Sequence, residues 1–324
     1  MIEVASLRLQ GHARRTPLLS SPFLDEIAGR KVFIKAECLQ HTGSFKFRGA
    51  WSAVTALPDD VRGVIAFSSG NHAQGVAYAA GLRGLNAVII MPHDAPAIKI
   101  ANTRALGAEV VLYDRASEDR DALGAALAAE RGLSLIQPFD HPQVIAGQGT
   151  TGLEIAQQAA EHGVTSAQVL VCCGGGGLTS GIALALKRHA PDMQVRPVEP
   201  EGFDDVTKSL TSGQVVTHAL RSGLCDAIVT PAPGKLTWPV LKRLCGPGLV
   251  VSDAQALAAM ALAFERLKLV VEPGGAVALA AALFLPEQIT GDSVIVTVSG
   301  GNVDRAVFQR ALAGGTGDDA RATA

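Results

Sequence analysis

Short runs of β-forming residues that are apolar throughout, not on alternate positions, recur along this chain with longer Ala- and Leu-rich segments between them. Val32 to Lys35, Val64 to Phe67, Ala87 to Met91, Val110 to Tyr113, Val169 to Cys173, Val195 to Val198 and Ser293 to Val298 are such runs. A strand apolar on both faces must be covered on both faces, as parallel strands are when helices cross over them. The alternation therefore predicts an α/β protein built on parallel sheets flanked by helices, and it disfavours an antiparallel sandwich.

Helical length, good helix formers and apolar residues three and four apart mark His72 to Leu82, Pro96 to Leu106, Asp119 to Glu130, Gly149 to His162 and Ala254 to Leu267. Glycines close several of them, at Gly107, Gly132 and Gly163. The most apolar segment, Leu269 to Leu285, is broken by Glu272, Pro273, Gly274 and Gly275, and a bilayer span needs roughly 20 apolar residues. It reads as a core helix. The 324 residues exceed the roughly 250 to 300 that one core usually serves, so two lobes are expected. No low-complexity linker separates them, which argues for a chain excursion and return: 1–50 and 140–324 in a large domain, 51–139 in a small one. Residues after Leu312 lack apolar periodicity and are expected to fray.

Charge excludes some partners. With 28 Lys and Arg against 30 Asp and Glu, and no basic run, the chain offers no stripe for a phosphate backbone, so nucleic acid is not an expected partner. Neither is a membrane, and the opening MIEVASLRLQGHARR has no signal-peptide core, which makes a cytoplasmic protein the expectation. The five cysteines lack CxxC or Cys/His spacing for zinc and read as buried small apolar residues. Of the eight histidines, His72 falls in a segment with chemical character.

Four turns place Gly, Ser, Thr or Asn after a strand and before a helix, where free N–H groups and the helix dipole favour an anion. They are Thr42 to Ala50, Ser68 to His72, Gly174 to Gly177 and Ser299 to Asn302. A phosphate-bearing ligand is implied, although a glycine run also makes a plain tight turn. Neither GxxxxGK[ST] nor a convincing GxGxxG unit is present, which argues against a nucleotide site. Lys46, between Phe45 and Phe47, occupies a setting that can desolvate an amine and lower its pKa, with a snorkelling surface lysine as the alternative.

Taken together and in order, QHTGSFKFRGA, SSGNHAQG, VIAGQGT, GGGGL, VEPGGA and VSGGN resemble the fold-type II pyridoxal phosphate (PLP) enzymes, a tryptophan-synthase-β-like two-domain fold. Within them the chain is similar to serine/threonine ammonia-lyases (dehydratases), 3-hydroxyaspartate ammonia-lyases and serine racemases. The resemblance implies that Lys46 holds PLP as a Schiff base, Phe45 covers a ring face, Asn71 meets the ring hydroxyl, the backbone of Gly174, Gly175, Gly176 and Gly177 holds the phosphate, and Ser299 meets the pyridine nitrogen. It implies that Ser68, Ser69, Asn71 and His72 grip the substrate carboxylate, with Arg120 as a cationic supplement. Ser69 matches the serine that exchanges a proton opposite the lysine in racemases. Glu199, Phe203 (by its carbonyl) and Asp205 match a divalent-cation site for Mg²⁺, Mn²⁺ or Ca²⁺. A homodimer is implied by the same resemblance.

The activity so implied is β-elimination from an L-β-hydroxy amino acid, serine, threonine or 3-hydroxyaspartate, giving a 2-oxo acid and ammonia. FSSGNHAQG, MPHDAP, YDRASEDR and SGGNVD look especially like threo-3-hydroxyaspartate ammonia-lyases, a resemblance that implies a group to meet a second carboxylate, with His41 as the candidate. The segment Gly223 to Pro239 departs from these patterns, and Trp238 could line a larger pocket for 3-phenylserine. Racemisation, β-replacement and non-catalytic PLP or nucleotide binding are the competing readings.

Overall fold

The computed structural model describes residues 1–95, 97–114, 116–219 and 222–314. Its strands in chain order are β1 (Leu18–Ser20), β2 (Lys31–Ala36), β3 (Gly63–Phe67), β4 (Asn86–Pro92), β5 (Glu109–Tyr113), β6 (Ser134–Leu135), β7 (Ala167–Cys172), β8 (Met193–Pro200), β9 (Leu249–Val251) and β10 (Ser293–Val298). They form two sheets. One has the order β1-β2-β10-β7-β8-β9 and is parallel except for the short edge strand β1; the other has the order β5-β4-β3-β6 and is parallel throughout. The expected parallel α/β architecture is the one observed. The chain leaves the first sheet after β2, builds the second, and returns along the helix Pro142–Glu161.

All twelve residues of the helix Pro273–Phe284 are buried, so the apolar segment read as core is core. It packs with the helix Asp253–Leu262 in one hydrophobic cluster that also takes residues from β2, β7 and β10. A second cluster joins the helices Lys46–Val54 and Asn71–Arg83 to β3 and β4, and draws Ala5 and Leu9 from the N-terminal helix and Val144 and Ala146 from Pro142–Glu161.

The helix expected from Gly149 begins instead at Pro142. Gly147 and Gly149 weaken local helix propensity, yet both sit where helices cross: a Cβ on Gly147 would run into the carbonyl of Arg48, and one on Gly149 into that of Gly181. Tertiary packing requires the glycines that make the segment look non-helical. The expected fraying tail lies largely outside the described residues.

Candidate active site

The four glycine-containing turns meet at the carboxyl ends of β2, β3, β7 and β10, the usual ligand position in open α/β sheets. The loop after β10 clamps the Lys46 turn. Phe45 N–H donates to the Ser299 carbonyl at 3.1 Å, Gly301 N–H to the Gly43 carbonyl at 2.9 Å, and Ser44 bridges Gly300. Thr42 is held at φ 58, a left-handed conformation uncommon for a β-branched residue, and its carbonyl accepts from Asn302 Nδ2 at 2.8 Å. The following helix starts at Lys46, which sets the amine at its N-terminal end.

Two adjoining cavities share Lys46. The larger, about 260 Å³, is lined by Ser68, Ser69, Gly70, Asn71, His72 and Lys99 among others. The narrower, about 40 Å³, is lined by Phe45, by Gly174 to Gly177 and by Phe139. Lys46 Nζ donates to the Pro138 carbonyl at 2.8 Å and lies 5.2 Å from the centre of the Phe45 ring. Burial drives its pKa down to about 8, with the charge of Glu272 acting in the opposite sense. The amine thus sits on the wall of both cavities, in the desolvating kind of setting expected from the sequence.

Asn71 begins the helix Asn71–Arg83, donates from Nδ2 to Glu272 Oε1 at 2.6 Å, and accepts at Oδ1 from Asn302 Nδ2 at 2.7 Å. His72 Nε2 meets the Ile136 carbonyl at 2.8 Å, and burial, together with the charge on Lys46, lowers its pKa to about 3. It is therefore neutral across the physiological range and acts here as a donor to Ile136. Ser68 Oγ accepts from Gly70 N–H at 3.1 Å, which folds the loop against itself.

At the glycine run, Gly176 has φ 90 and a Cβ on Gly175 would strike the Phe139 ring. The helix Gly177–His189 starts at the last glycine, with its N-terminal N–H groups towards the narrow cavity. Thr230, which lines both cavities, has a buried hydroxyl without a hydrogen-bond partner.

Several expected residues stand elsewhere. Ser299 is buried at the end of β10 and is not among the residues lining either cavity. Arg120 lines neither; its half-exposed guanidinium lies 5.3 Å from the Phe67 ring centre and pairs with Asp121 at 2.8 Å. That leaves it beside the residue preceding the Ser68 loop. His41 is turned into an aromatic group, 5.1 Å from Phe47 and 5.4 Å from Tyr78, so it does not supply the cavity's second cation. Trp238 packs with Cys173, Val206 and Leu241, and with it the argument for a larger aromatic pocket falls away.

Glu199, near the carboxyl end of β8, and Asp205, at the start of the helix Asp205–Ser212 that follows it, are both buried. The Glu199 carboxylate accepts from Val206 N–H at 2.9 Å, Thr207 N–H at 2.7 Å and Thr207 Oγ1 at 2.6 Å. Asp205 Oδ1 faces His218 Nε2 at 3.1 Å, whereas its Oδ2 is buried with no partner. Burial pushes these carboxyls up to about 8 and about 7 respectively. Phe203 N–H donates to the Pro200 carbonyl, and its ring lies 5.8 Å from His218. Among the described residues no group of three or more His, Cys, Asp or Glu is assembled to hold a metal.

Sequence reasoning passed over Glu272 and Lys99 as site residues. Glu272 was visible as a break in an apolar segment and as part of the VEPGGA motif, with no role attached, and Lys99 as a lysine on an ordinary amphipathic helix. Glu272 occupies the N-cap position of the helix Pro273–Phe284, but its carboxyl turns to Asn71 and not to the helix; it is buried there, and burial raises its pKa to about 8.

The sequence profile of pyridoxal-phosphate dependent enzymes matches residues 9–301. An L-threo-3-hydroxyaspartate ammonia-lyase of Pseudomonas sp is 45% identical over 312 residues, covering 96% of this chain and 97% of that protein. A serine racemase of Oryza sativa subsp. indica is 39% identical, covering 96% and 92%. The crystal structure of a threonine deaminase from T.th. superposes with a TM-score of 0.88 at 45% identity, covering 94% of this chain and 97% of that one. The residues fit the cofactor: a buried amine of lowered pKa opens on a narrow cavity walled by glycine backbone, a helix N-terminus and an unpartnered hydroxyl. On these grounds the chain belongs to the pyridoxal-phosphate dependent enzymes of fold type II.

Proposed function

We propose that this protein is a PLP-dependent ammonia-lyase that removes the β-hydroxyl of an L-2-amino-3-hydroxy acid and releases a 2-oxo acid and ammonia. The observation that carries the reading is Lys46: a buried amine with a pKa near 8, sharing one cavity with the Ser68–His72 loop. When bound, the cofactor supplies an electron sink that makes the substrate's α-proton acidic. Lys46 then takes that proton, its lowered pKa leaving about a tenth of the amine uncharged at pH 7, far more than an ordinary lysine offers. The hydroxyls of Ser68 and Ser69 and the N-terminal N–H groups of the helix Asn71–Arg83 hold the substrate carboxylate. Phe45 would back the cofactor ring, Asn71 would meet its hydroxyl and the backbone of Gly174 to Gly177 would hold its phosphate; Ser299, which lines neither cavity, is assigned to the ring nitrogen by the resemblance alone. Pro138 and Phe139 keep water from the reacting carbon, and residues 51–139 close over it as a unit.

Ser69 supports a second reading, since a hydroxyl in the same cavity as Lys46 gives two proton-exchanging groups, as racemisation needs. A divalent cation at Glu199, the Phe203 carbonyl and Asp205 also belongs to the proposal. It is supported by the unpartnered Asp205 oxygen and by the raised pKa values, which a cation would reverse. So do a cytoplasmic setting and a homodimer; exposed Met1, Val4 and Leu7 on the N-terminal helix offer a dimer an apolar face. Among the described residues no helix is long and apolar enough to cross a membrane.

The test is an assay for ammonia and 2-oxo acid on L-serine, L-threonine, both 3-hydroxyaspartate diastereomers and 3-phenylserine, with and without chelator, and with chiral analysis of the residual amino acid. Ser69→Ala should lower turnover about 10²-fold while the protein stays yellow. A yellow protein that yields no ammonia from any of them rejects elimination; D-amino acid without ammonia selects the racemase.

A further inference from the structure

Among the described residues lining the larger cavity, the lysines are Lys46 and Lys99, and no arginine is present. Lys46 is engaged by the chemistry, which leaves Lys99 as the cation available to a substrate side chain. It stands on the helix Ala97–Ala105 beside the second sheet, and its Nζ reaches Asp226 Oδ2 at 3.0 Å, on the 3-10 turn Asp226–Ile228 beside the first sheet. The partners are unequally held. The Lys99 side chain is 15% exposed, the Asp226 side chain 58%. An ion pair with one partner largely in water is weak, and Asp226 can swing outward and be rehydrated at little cost.

We propose that Lys99 receives a second carboxylate on the substrate, with Asp226 as its resting counter-ion, so that the preferred substrate is a 2-amino-3-hydroxy dicarboxylic acid. This rests on the lyase reading and specifies its substrate class. Asp226 already demonstrates the geometry, because a carboxylate oxygen fits 3.0 Å from Nζ at the cavity wall. Glu272 also lines the cavity and would repel an anion if ionised, but burial raises its pKa to about 8, so it is largely uncharged near neutral pH. Burial opposes the charge on Lys99, but Asp226 and, to a lesser extent, Asp304 outweigh it and hold its pKa above the ordinary lysine value. A substrate ending in a methyl or hydroxyl leaves the Lys99–Asp226 pair intact, whereas a dicarboxylate exchanges one carboxylate for another.

The experiment measures kcat/KM for L-threo-3-hydroxyaspartate and for L-serine with the holoenzyme of wild type, Lys99→Met, Lys99→Arg and Asp226→Asn. It also measures binding of succinate and of propionate from the shift in the cofactor's absorption. Lys99→Met should lower the hydroxyaspartate-to-serine ratio by roughly 30-fold or more, because it removes the group that pairs the second carboxylate. Asp226→Asn should move the ratio the other way by about threefold, since the competitor is gone. Lys99→Arg should keep the preference, and succinate should lose more affinity than propionate in Lys99→Met. A ratio that does not move, or that falls in Lys99→Met and Asp226→Asn alike, overturns the proposal and makes the pair a strap between the two sheets. If wild type releases ammonia from neither amino acid, the lyase reading fails, yet the succinate and propionate affinities still decide the role of Lys99.

Discussion

Lys46 and Arg48 lie two positions apart in the first turn of one helix, Arg48 fully buried and Lys46 half-buried at the cavity wall, and their surroundings are opposite. Arg48 is saturated: Nε and Nη2 donate to the two oxygens of Glu37 at 2.8 Å each, and Nη1 and Nη2 to Glu154 at 2.7 and 2.9 Å. Glu154 also takes Lys35 at 2.5 Å, and Lys35 is completed by Thr16 and Gln158. Burial alone would lower the pKa of Arg48, but Glu37 and Glu154 more than reverse this and push it up. Lys46 has a single carbonyl partner, and burial pulls its pKa down. The contrast separates two uses of a buried cation: one paired on every side to fix a helix, and one left short of partners so that it can give up its proton.

Removing the reactive cation should produce the largest effect on turnover and a small one on folding. Lys46→Ala is expected to lower turnover by roughly 10⁴-fold or more and to abolish borohydride-trappable cofactor. The apo-protein should lose no more than about 1 kcal/mol, since the deleted amine is poorly compensated. Arg48→Met should do the reverse in kind. It leaves Glu37 buried without its counter-ion, at a cost of roughly 3–5 kcal/mol, measured by urea denaturation of the apo-protein. Replacing Glu37 by Met in the same chain should restore part of that loss. Equal destabilisation by Lys46→Ala and Arg48→Met would erase the distinction between the two cations.

The fold was largely legible in the sequence, because continuously apolar strands and capped helices are local signals. The glycine turns and Lys46 were legible for the same reason: each is a contiguous stretch whose composition serves one purpose. What escaped depends on side-chain direction across long sequence separations. Asn71 meets Glu272 and Asn302, Lys99 meets Asp226, and nothing near Lys99 in the chain marks it as different from the surface lysines. The Arg48 network escaped likewise, since Glu37 and Glu154 are ordinary acids until β2 and the returning helix bring them together. His41 and Arg120 stand off the cavity walls, because proximity to a motif in the chain says nothing of where a side chain turns.

The pH dependence of Lys46 sharpens the comparison further. Labelling of the apo-protein amine by an amine-specific reagent should rise with a midpoint near about 8, not near the ordinary lysine value of 10.5. Glu272 acts to raise that value, so Glu272→Gln should move the midpoint down. Because the folded protein holds the Lys46 proton less tightly than the unfolded chain, this residue makes stability rise with pH between about 8 and 10.5, by up to about 1.4 kcal/mol per unit. Lys46→Ala should remove that slope. A midpoint that stays at the ordinary lysine value would mean that water reaches the amine and that the cavity does not desolvate it.

His41 gives the smallest expected effect and the cleanest control on the idea that burial near Lys46 is not by itself chemistry. Its ring packs edge-on against Phe47, the residue after Lys46, and against Tyr78 of the helix that begins at Asn71, so it ties the two helices that carry the site. Burial, with Arg14 nearby, keeps its pKa below the usual value, in keeping with a neutral packing group. His41→Ala should cost about 1 kcal/mol of stability through lost ring contact, and should change the hydroxyaspartate-to-serine ratio by less than about threefold. Should that ratio instead fall as far as in Lys99→Met, the second carboxylate would be reaching towards the Phe47 side of the cavity, and the division between a packing wall and a binding wall would have to be redrawn.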